Sequence, residues 1–393
     1  MSACPLSSTQ PSQRFTLDGS DELEAHLDRT CQRIVHAVRG LIPAAQLEAI
    51  YLGGGYGRGE GGVLATPDGE RPYNDLEFYV FIGGLRHLNE WRHRRALDVL
   101  GEILTPSAGA HVEFKIASRR ELERMQISMF SYDLVTAHRL LFGSEYFFSR
   151  CAHHCHAPKI PLEEATRLLM NRGTGLLLAR ERLEAATFSA DDADFVARNL
   201  AKCALALGDA ALTAFHRYHW SCRERHRRLK LDLALAELPA WRGELLRLHE
   251  EGVRFKLRPA RSTASREELQ RRWSELLPIA QQVFLWLEER RLGITFASAR
   301  HYALDEHPKF PRRAAPRELA ARLWQGGLDG LLSPQPLRPP RERLLRALAL
   351  LLWEPDAFSQ PRLLTRLQRE LHTDAVGLPA FVRAYREIWE RAN

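Results

Sequence analysis

Between residues 21 and 40 the hydrophobic positions are Leu23, Leu27, Cys31, Ile34, Val35 and Val38. That three-to-four spacing lines one side of a helix and predicts one there. Residues 49–52 form a short apolar run that ends in glycines and predicts a strand. Leu76, Phe78 and Val80 then alternate with Asp75, Glu77 and Tyr79, the period of a strand with one face committed to a core. Helical spacing returns over 87–104, residues 111–116 alternate again, and a further helix starts near Ser118. Helix, strand, glycine turn, strand, helix, strand, helix describes a compact mixed domain over residues 21–145, behind a polar, proline-containing arm at 1–20.

After Phe142 and Gly143 the pattern changes. The stretch CAHHCHAPKIP is loop-like and predicts a linker over 146–160. Residues 162–183, 191–218, 267–290, 341–353 and 379–391 all carry helical periodicity, with no convincing strand among them. Prolines at 334, 336, 339 and 340 punctuate a gap near 310–340. The expected fold class is therefore α+β: a small mixed sheet with flanking helices, followed by a larger all-α domain over 161–393.

Length and composition add limits. A chain of 393 residues can bury a core in each of two or three domains. Its longest apolar stretch, 347–353, covers only about two helical turns, so no membrane partner is expected. The opening residues lack the basic start and apolar core of a signal peptide, and six cysteines without a repeating framework suit a reducing compartment; the cytoplasm is the expected location. The net charge of +7 comes mostly from arginines in many short clusters. They suit nucleotide phosphates or a polyanion, or equally the solvated faces of an arginine-rich chain.

Candidate chemistry begins at residues 53–62, GGGYGRGEGG, with seven glycines in ten positions. A cluster this dense marks a tight turn, a close backbone approach or disorder. Downstream, Asp75 and Glu77 stand two apart on a predicted strand, on one face and about 7 Å apart at Cα. Two such carboxylates can share hard divalent cations, whose remaining coordination comes from water and phosphate oxygens. Glu113, on the next predicted strand, adds a third carboxylate if the two strands are neighbours.

The run Gly54-Gly55-Tyr56-Gly57-Arg58-Gly59-Glu60, followed by Asn74-Asp75-Leu76-Glu77-Phe78, resembles the signature of the DNA polymerase β-like nucleotidyltransferase superfamily. The resemblance covers about residues 45–120. It implies that Gly54 and Gly55 cradle the phosphates of a nucleoside triphosphate, and that Asp75, Glu77 and Glu113 hold two magnesium ions, Glu113 also serving as a proton acceptor. Arg58 would pair with a phosphate oxygen. The gap between Gly55 and Asp75 exceeds the family's usual one, which predicts an inserted hairpin over 63–73 around Pro67-Asp68-Gly69. Gly55 stands where many members carry serine. Gly57 and Gly59 are expected to keep the backbone close to the phosphates, and Gly61 and Gly62 to release the chain into the hairpin as a hinge.

In such two-domain proteins the helical domain often holds the base or the acceptor. Asn199, Lys202 and Asp209 lie on one face of a predicted apolar helix, so Lys202 and Asp209 join the nucleotide-binding candidates, with a buried Lys–Asp bridge as the alternative. Asn171 and Arg172 interrupt another apolar helix in the same way, and Lys256 is a further phosphate-contact candidate. Cys151, His153, His154, Cys155 and His156 are zinc-ligand types, but crowded into one loop without a second ligand pair they read as a chance cluster. The expected activity is nucleoside monophosphate transfer from a triphosphate to a hydroxyl, with a small-molecule acceptor favoured over RNA or protein. The competing class is a non-catalytic nucleotide-binding or toxin–antitoxin-type protein, in which Arg366–His372 or Arg242–His249 would match the loose Arg-x(4–6)-His spacing of helical ribonucleases.

Overall fold

The computed structural model describes residues 14–232, 240–310 and 338–392, and the chain forms two compact units. The first comprises residues up to Glu164 together with Ala211–Arg261; the second comprises Ala165–Ala210 and the chain from Ser262 onward.

The first unit opens with α1 (Asp21–Leu41), which begins where the Ser20 side chain accepts from the Leu23 N–H and buries Leu23, Leu27, Ile34 and Val38. Strand β1 (Leu47–Leu52) runs into the glycine turn, whose only helical piece is α2 (Gly54–Gly57). The inserted hairpin follows as β2 (Val63–Thr66) and β3 (Gly69–Pro72), turning at Pro67-Asp68 as expected. Then come β4 (Leu76–Ile82), α3 (Arg86–Ala108), β5 (Val112–Ala117), α4 (Arg119–Arg124), α5 (Met129–Thr136) and β6 (Arg139–Phe142). The main sheet has the order β5-β4-β1-β6. Strand β1 is antiparallel to both neighbours, whereas β4 and β5 are parallel, joined by the α3 crossover that parallel strands require.

Both faces of this sheet are covered. Leu52, Phe78, Val80, Phe114 and Ile116 pack against α1 and α3. On the opposite face Tyr51, Tyr79 and Phe81 pack with Leu122, Leu134, Phe147, Phe148 and Cys151. The expectation of one committed face on β4 is thus corrected: Tyr79 and Phe81, which alternate with the aliphatic set, are as buried as it is. The ends of β4 and β5 that carry Glu77, Glu113 and Lys115 remain partly open.

Three boundaries also differ from the sequence reading. Residues 14–20 are not part of a loose arm, because the Phe15 side chain is buried in the sheet core and its N–H donates to Glu24 at 2.7 Å. Residues 146–160 are no linker: Phe147, Phe148 and Cys151 fill the second core, and Ser149–Cys155 is a 3₁₀ turn. Finally, α8 (Cys222–Leu231) and α9 (Arg242–Leu257) belong to the first unit. They are tied there by Arg258 to Glu70 and by Phe255 packed edge-on to Tyr73.

The second unit is helical: α6 (Leu162–Glu184) from Ala165, α7 (Ala190–Ala214) up to Ala210, α10 (Arg266–Leu292), α11 (Ala299–Leu304), α12 (Pro340–Trp353), α13 (Pro361–Leu371) and α14 (Leu378–Ala392). Every residue of α12 from Glu342 to Leu352 is buried. Its Arg346, fully enclosed, is neutralised by Glu342 at 2.9 Å and donates to the His307 carbonyl at 2.7 Å, as a buried charge must. The linker expected near 310–340 falls mostly on residues outside the described ones. No described helix is long and apolar enough to cross a membrane.

Candidate functional site

The glycine turn is built around one aromatic ring. Tyr56 is fully buried; its hydroxyl donates to the Gly62 carbonyl at 2.7 Å and accepts from the Tyr73 N–H at 2.9 Å. A Cβ on Gly61 would stand 2.0 Å from this ring, and one on Gly57 would stand 2.1 Å from the Leu52 carbonyl oxygen. Gly61 is therefore a packing position rather than a hinge, which corrects the division of the glycines drawn from sequence. The loop also folds back on Gly55, whose Cβ would lie 2.9 Å from the Glu60 carbonyl oxygen, so a serine here would need the turn to open. Gly54 has φ +61°, a region costly for any residue with a Cβ. Gly54 and Gly55 are part-exposed, while Tyr56 and Gly57 beside them are buried.

Gly54 rests against Glu77, whose Oε1 would be 2.9 Å from a Cβ at that position. Glu77 on β4 is the register partner of Glu113 on β5, and Tyr79 is the partner of Lys115. The Lys115 ammonium donates to Glu77 Oε2 at 3.1 Å and stands 3.3 Å from Glu113 Oε2. Tyr79 donates its hydroxyl to the same Glu77 oxygen at 2.9 Å. Burial pushes the Glu77 carboxyl up, but the Lys115 charge and the two hydrogen bonds outweigh it and hold the group below its ordinary range. Lys115, in turn, is held above the usual lysine range because two carboxylates outweigh its desolvation. Asp75 stands exposed just before β4 rather than on it.

Glu77 and Glu113 are the hard oxygen donors that magnesium takes, and adjacent parallel strands bring them together. They suit an ion bound through two carboxylates. Among the described residues no three aspartate, glutamate, histidine or cysteine side chains are grouped closely enough to hold a metal ion, so Asp75 does not complete a cluster with them.

Arg58 turns inward. Its side chain is only 10% exposed and pairs with Asp133, which also accepts from the Tyr218 hydroxyl at 3.3 Å. An open phosphate ligand does not describe it; it anchors the turn to α5. Glu60 likewise faces inward, accepting from the Ser221 hydroxyl at 2.5 Å and the Cys222 N–H at 2.8 Å. Lys256 on α9 lies close by, its carbonyl oxygen 3.0 Å from where a Cβ on Gly62 would be. Burial lowers its pKa, and the nearby positive charges of Arg58 and Arg225 lower it further.

The remaining candidates lie elsewhere. Lys202 and Asp209 are on the second unit's part of α7, a different unit from the glycine turn. Asp209 is buried, and its charge acts on Arg172 of α6, whose pKa burial lowers. Asn199 donates to the Phe195 carbonyl of its own helix at 2.8 Å. In the 151–156 loop, His154 bonds to the Leu122 carbonyl and His153 to the Met125 carbonyl, while Cys151 is buried with its thiol pushed up to about 11 by burial. The His153 and His154 rings lie against each other, 3.9 Å apart at their centres, and these residues make no metal set. Arg366 is held by Glu306 and Glu370, and His249 faces His226 with their Nδ1 atoms 3.2 Å apart. Tyr56, Tyr79, Lys115 and Asp133 were not read as site residues, although strand alternation put Tyr79 on the face of Glu77 and Lys115 on the face of Glu113. No model of a known protein family, no curated protein and no solved structure matches this chain.

Proposed function

We propose that this chain is a magnesium-dependent nucleotidyltransferase of the DNA polymerase β-like type, which moves a nucleoside monophosphate from a triphosphate to a hydroxyl of a small molecule and releases pyrophosphate. The observation that carries the reading is the contact of Gly54 with Glu77, combined with the in-register pairing of Glu77 and Glu113. It sets a backbone turn suited to phosphate directly beside two carboxylates suited to a divalent ion. Without side chains, Gly54 and Gly55 let a phosphate approach the backbone closely.

In this reading Glu77 and Glu113, with Asp75 just before β4, would hold the magnesium. When bound, magnesium supplies the Lewis acidity that neutralises charge on the phosphates. The chain's own part is mainly positioning. Gly54 and Gly55 orient the phosphates, Lys256 adds positive charge near the turn, and Glu113, part-exposed at the strand end, takes the proton of the attacking hydroxyl. Arg58 and Glu60 hold the turn in place through Asp133, Ser221 and Cys222. A small acceptor is favoured over RNA because each arginine cluster has members paired within the chain: Arg227 and Arg228 with Glu224, Arg258 with Asp18 and Glu70, and Arg94 with Glu90.

The test incubates the protein with magnesium, each α-labelled nucleoside triphosphate and a library of hydroxyl metabolites. Pyrophosphate release and a labelled product are expected, with both lost in Glu77→Gln and Glu113→Gln. If these variants retain wild-type turnover, the assignment of the carboxylates is wrong. If no nucleotide is turned over but binding persists, the non-catalytic class replaces this one.

A further inference from the structure

A lysine occupies the point where the two site carboxylates meet. Parallel pairing puts Glu77 opposite Glu113 and Tyr79 opposite Lys115, so the lysine projects on the carboxylate face one step along the strands. Its ammonium lies 3.1 Å from Glu77 Oε2 and 3.3 Å from Glu113 Oε2, and 5.5 Å from the centre of the Tyr79 ring. Tyr79 fixes the same Glu77 oxygen from the other side at 2.9 Å. One oxygen of each carboxylate is therefore already neutralised by a cation belonging to the chain.

We infer that Lys115 is a positioning residue that serves as a tethered counter-ion: it pairs with Glu77 and Glu113 when no divalent cation is bound, and such a cation reaches the pair only by displacing it. This rests on the reading of Glu77 and Glu113 as cation ligands. An ammonium and a divalent ion cannot share the same two oxygens at these distances without strong repulsion. Once displaced, the ammonium stays tethered two residues from Glu113 and needs another anion. A triphosphate seated at Gly54 supplies one. Divalent cation and nucleotide must then bind cooperatively, each raising the affinity of the other by the same factor, because the nucleotide accepts the lysine that the metal expels. The lysine thus discourages metal binding without substrate and makes loading of the site depend on the nucleotide.

The experiment measures Mn²⁺ binding to the full chain by electron paramagnetic resonance and titration calorimetry, with and without an α,β-methylene triphosphate analogue. It compares wild type with Lys115→Met, Lys115→Gln and Lys115→Arg. Mn²⁺ alone is expected to bind wild type weakly and much more tightly with the analogue present. Lys115→Met and Lys115→Gln should bind Mn²⁺ alone about tenfold more tightly, the scale of losing two part-exposed ion pairs, and should lose most of the gain from the analogue. Lys115→Arg, which keeps the charge, should resemble wild type. Two neutral variants guard against a folding defect in one, checked by circular dichroism. If wild type binds Mn²⁺ with the analogue but both neutral variants bind Mn²⁺ alone no more tightly than wild type does, the counter-ion role is overturned while the metal reading stands. If no chain binds Mn²⁺ under any condition, both fall.

Discussion

The carboxylate of Glu60 accepts a hydrogen bond of 2.5 Å from the hydroxyl of Ser221, 161 residues further along the chain. Its other oxygen accepts from the Cys222 N–H at 2.8 Å, so this glutamate of the glycine turn caps the start of α8. The contact ties the turn to a helix that lies beyond the whole sheet and part of the second unit in sequence. It also places a negative charge among Arg58, Arg225 and Lys256.

Replacing Glu60 is accordingly expected to unfold the first unit more readily. Glu60→Ala removes two charge-assisted hydrogen bonds and leaves buried donors without acceptors, a loss of about 2–4 kcal/mol. Urea denaturation followed by circular dichroism measures it. The acid limb carries a second signature. Burial raises the Glu60 carboxyl, but the Ser221 and Cys222 hydrogen bonds and the Lys256 charge outweigh it, so its folded pKa lies below the unfolded value. The stability it contributes is present above the ordinary glutamate range and is lost as pH falls through its folded pKa. Glu60→Gln should flatten that part of the stability–pH curve.

Alanine substitution should separate the glycines by role. Gly57→Ala and Gly61→Ala drive a Cβ into the Leu52 carbonyl and the Tyr56 ring, and each should cost about 2 kcal/mol or more of stability. Gly54→Ala meets a left-handed φ and one carboxylate oxygen, for about 1–2 kcal/mol, yet it should weaken triphosphate binding most. Thermal melts beside fluorescent-nucleotide titrations of the three variants test the split. Equal loss of nucleotide affinity in all three would contradict it.

Stability should also depend on pH through His138. Its Nδ1 donates to the Leu134 carbonyl at 2.7 Å, and its ring meets Tyr51 edge-on. Burial lowers its pKa to about 4. Because the folded value is depressed, the unfolded chain binds the proton first, and stability falls as pH drops from about 6.5 towards 4. At pH 4.5 the loss from this one group is about 2–3 kcal/mol. His219, similarly lowered to about 4 by burial, adds its own contribution. His138→Phe should remove its share, so urea midpoints at pH 7 and 4.5 should lie closer together in the variant than in wild type.

Lys256 should trade stability for binding. Arg58 and Arg225 repel its ammonium in a desolvated place, so Lys256→Met should leave the melting temperature unchanged or higher. The same variant should bind triphosphate about tenfold less tightly, with a shallower salt dependence. Weaker stability with unchanged nucleotide affinity would show that the lysine only supports the fold.

The sequence by itself determined the local elements and the chemistry carried within them. Hydrophobic periodicity placed α1, β1, β4, α3, β5, α6, α10 and α12 within a few residues, since each buries one stripe or alternates across a sheet. The hairpin of β2 and β3 followed from a motif gap and a Pro-Asp-Gly turn, and the polar alternation of Asp75 and Glu77 marked the acidic end of β4. Other elements escaped for physical reasons. Strand β6 is short and half-buried, and α8 is too charged to show an apolar stripe.

Tertiary structure decided everything that depends on which distant segments meet. That Glu77 faces Glu113 follows from parallel register, which no local pattern encodes. That Lys115 stands between them follows from the same register. Arg58 read as a phosphate-facing group until Asp133 was brought to it, and Ser221 reaches Glu60 from far along the chain, because a buried polar group is defined by its partner and not by its neighbours in the chain. For the same reason α8 and α9, which follow α6 and α7 in sequence, belong with the sheet.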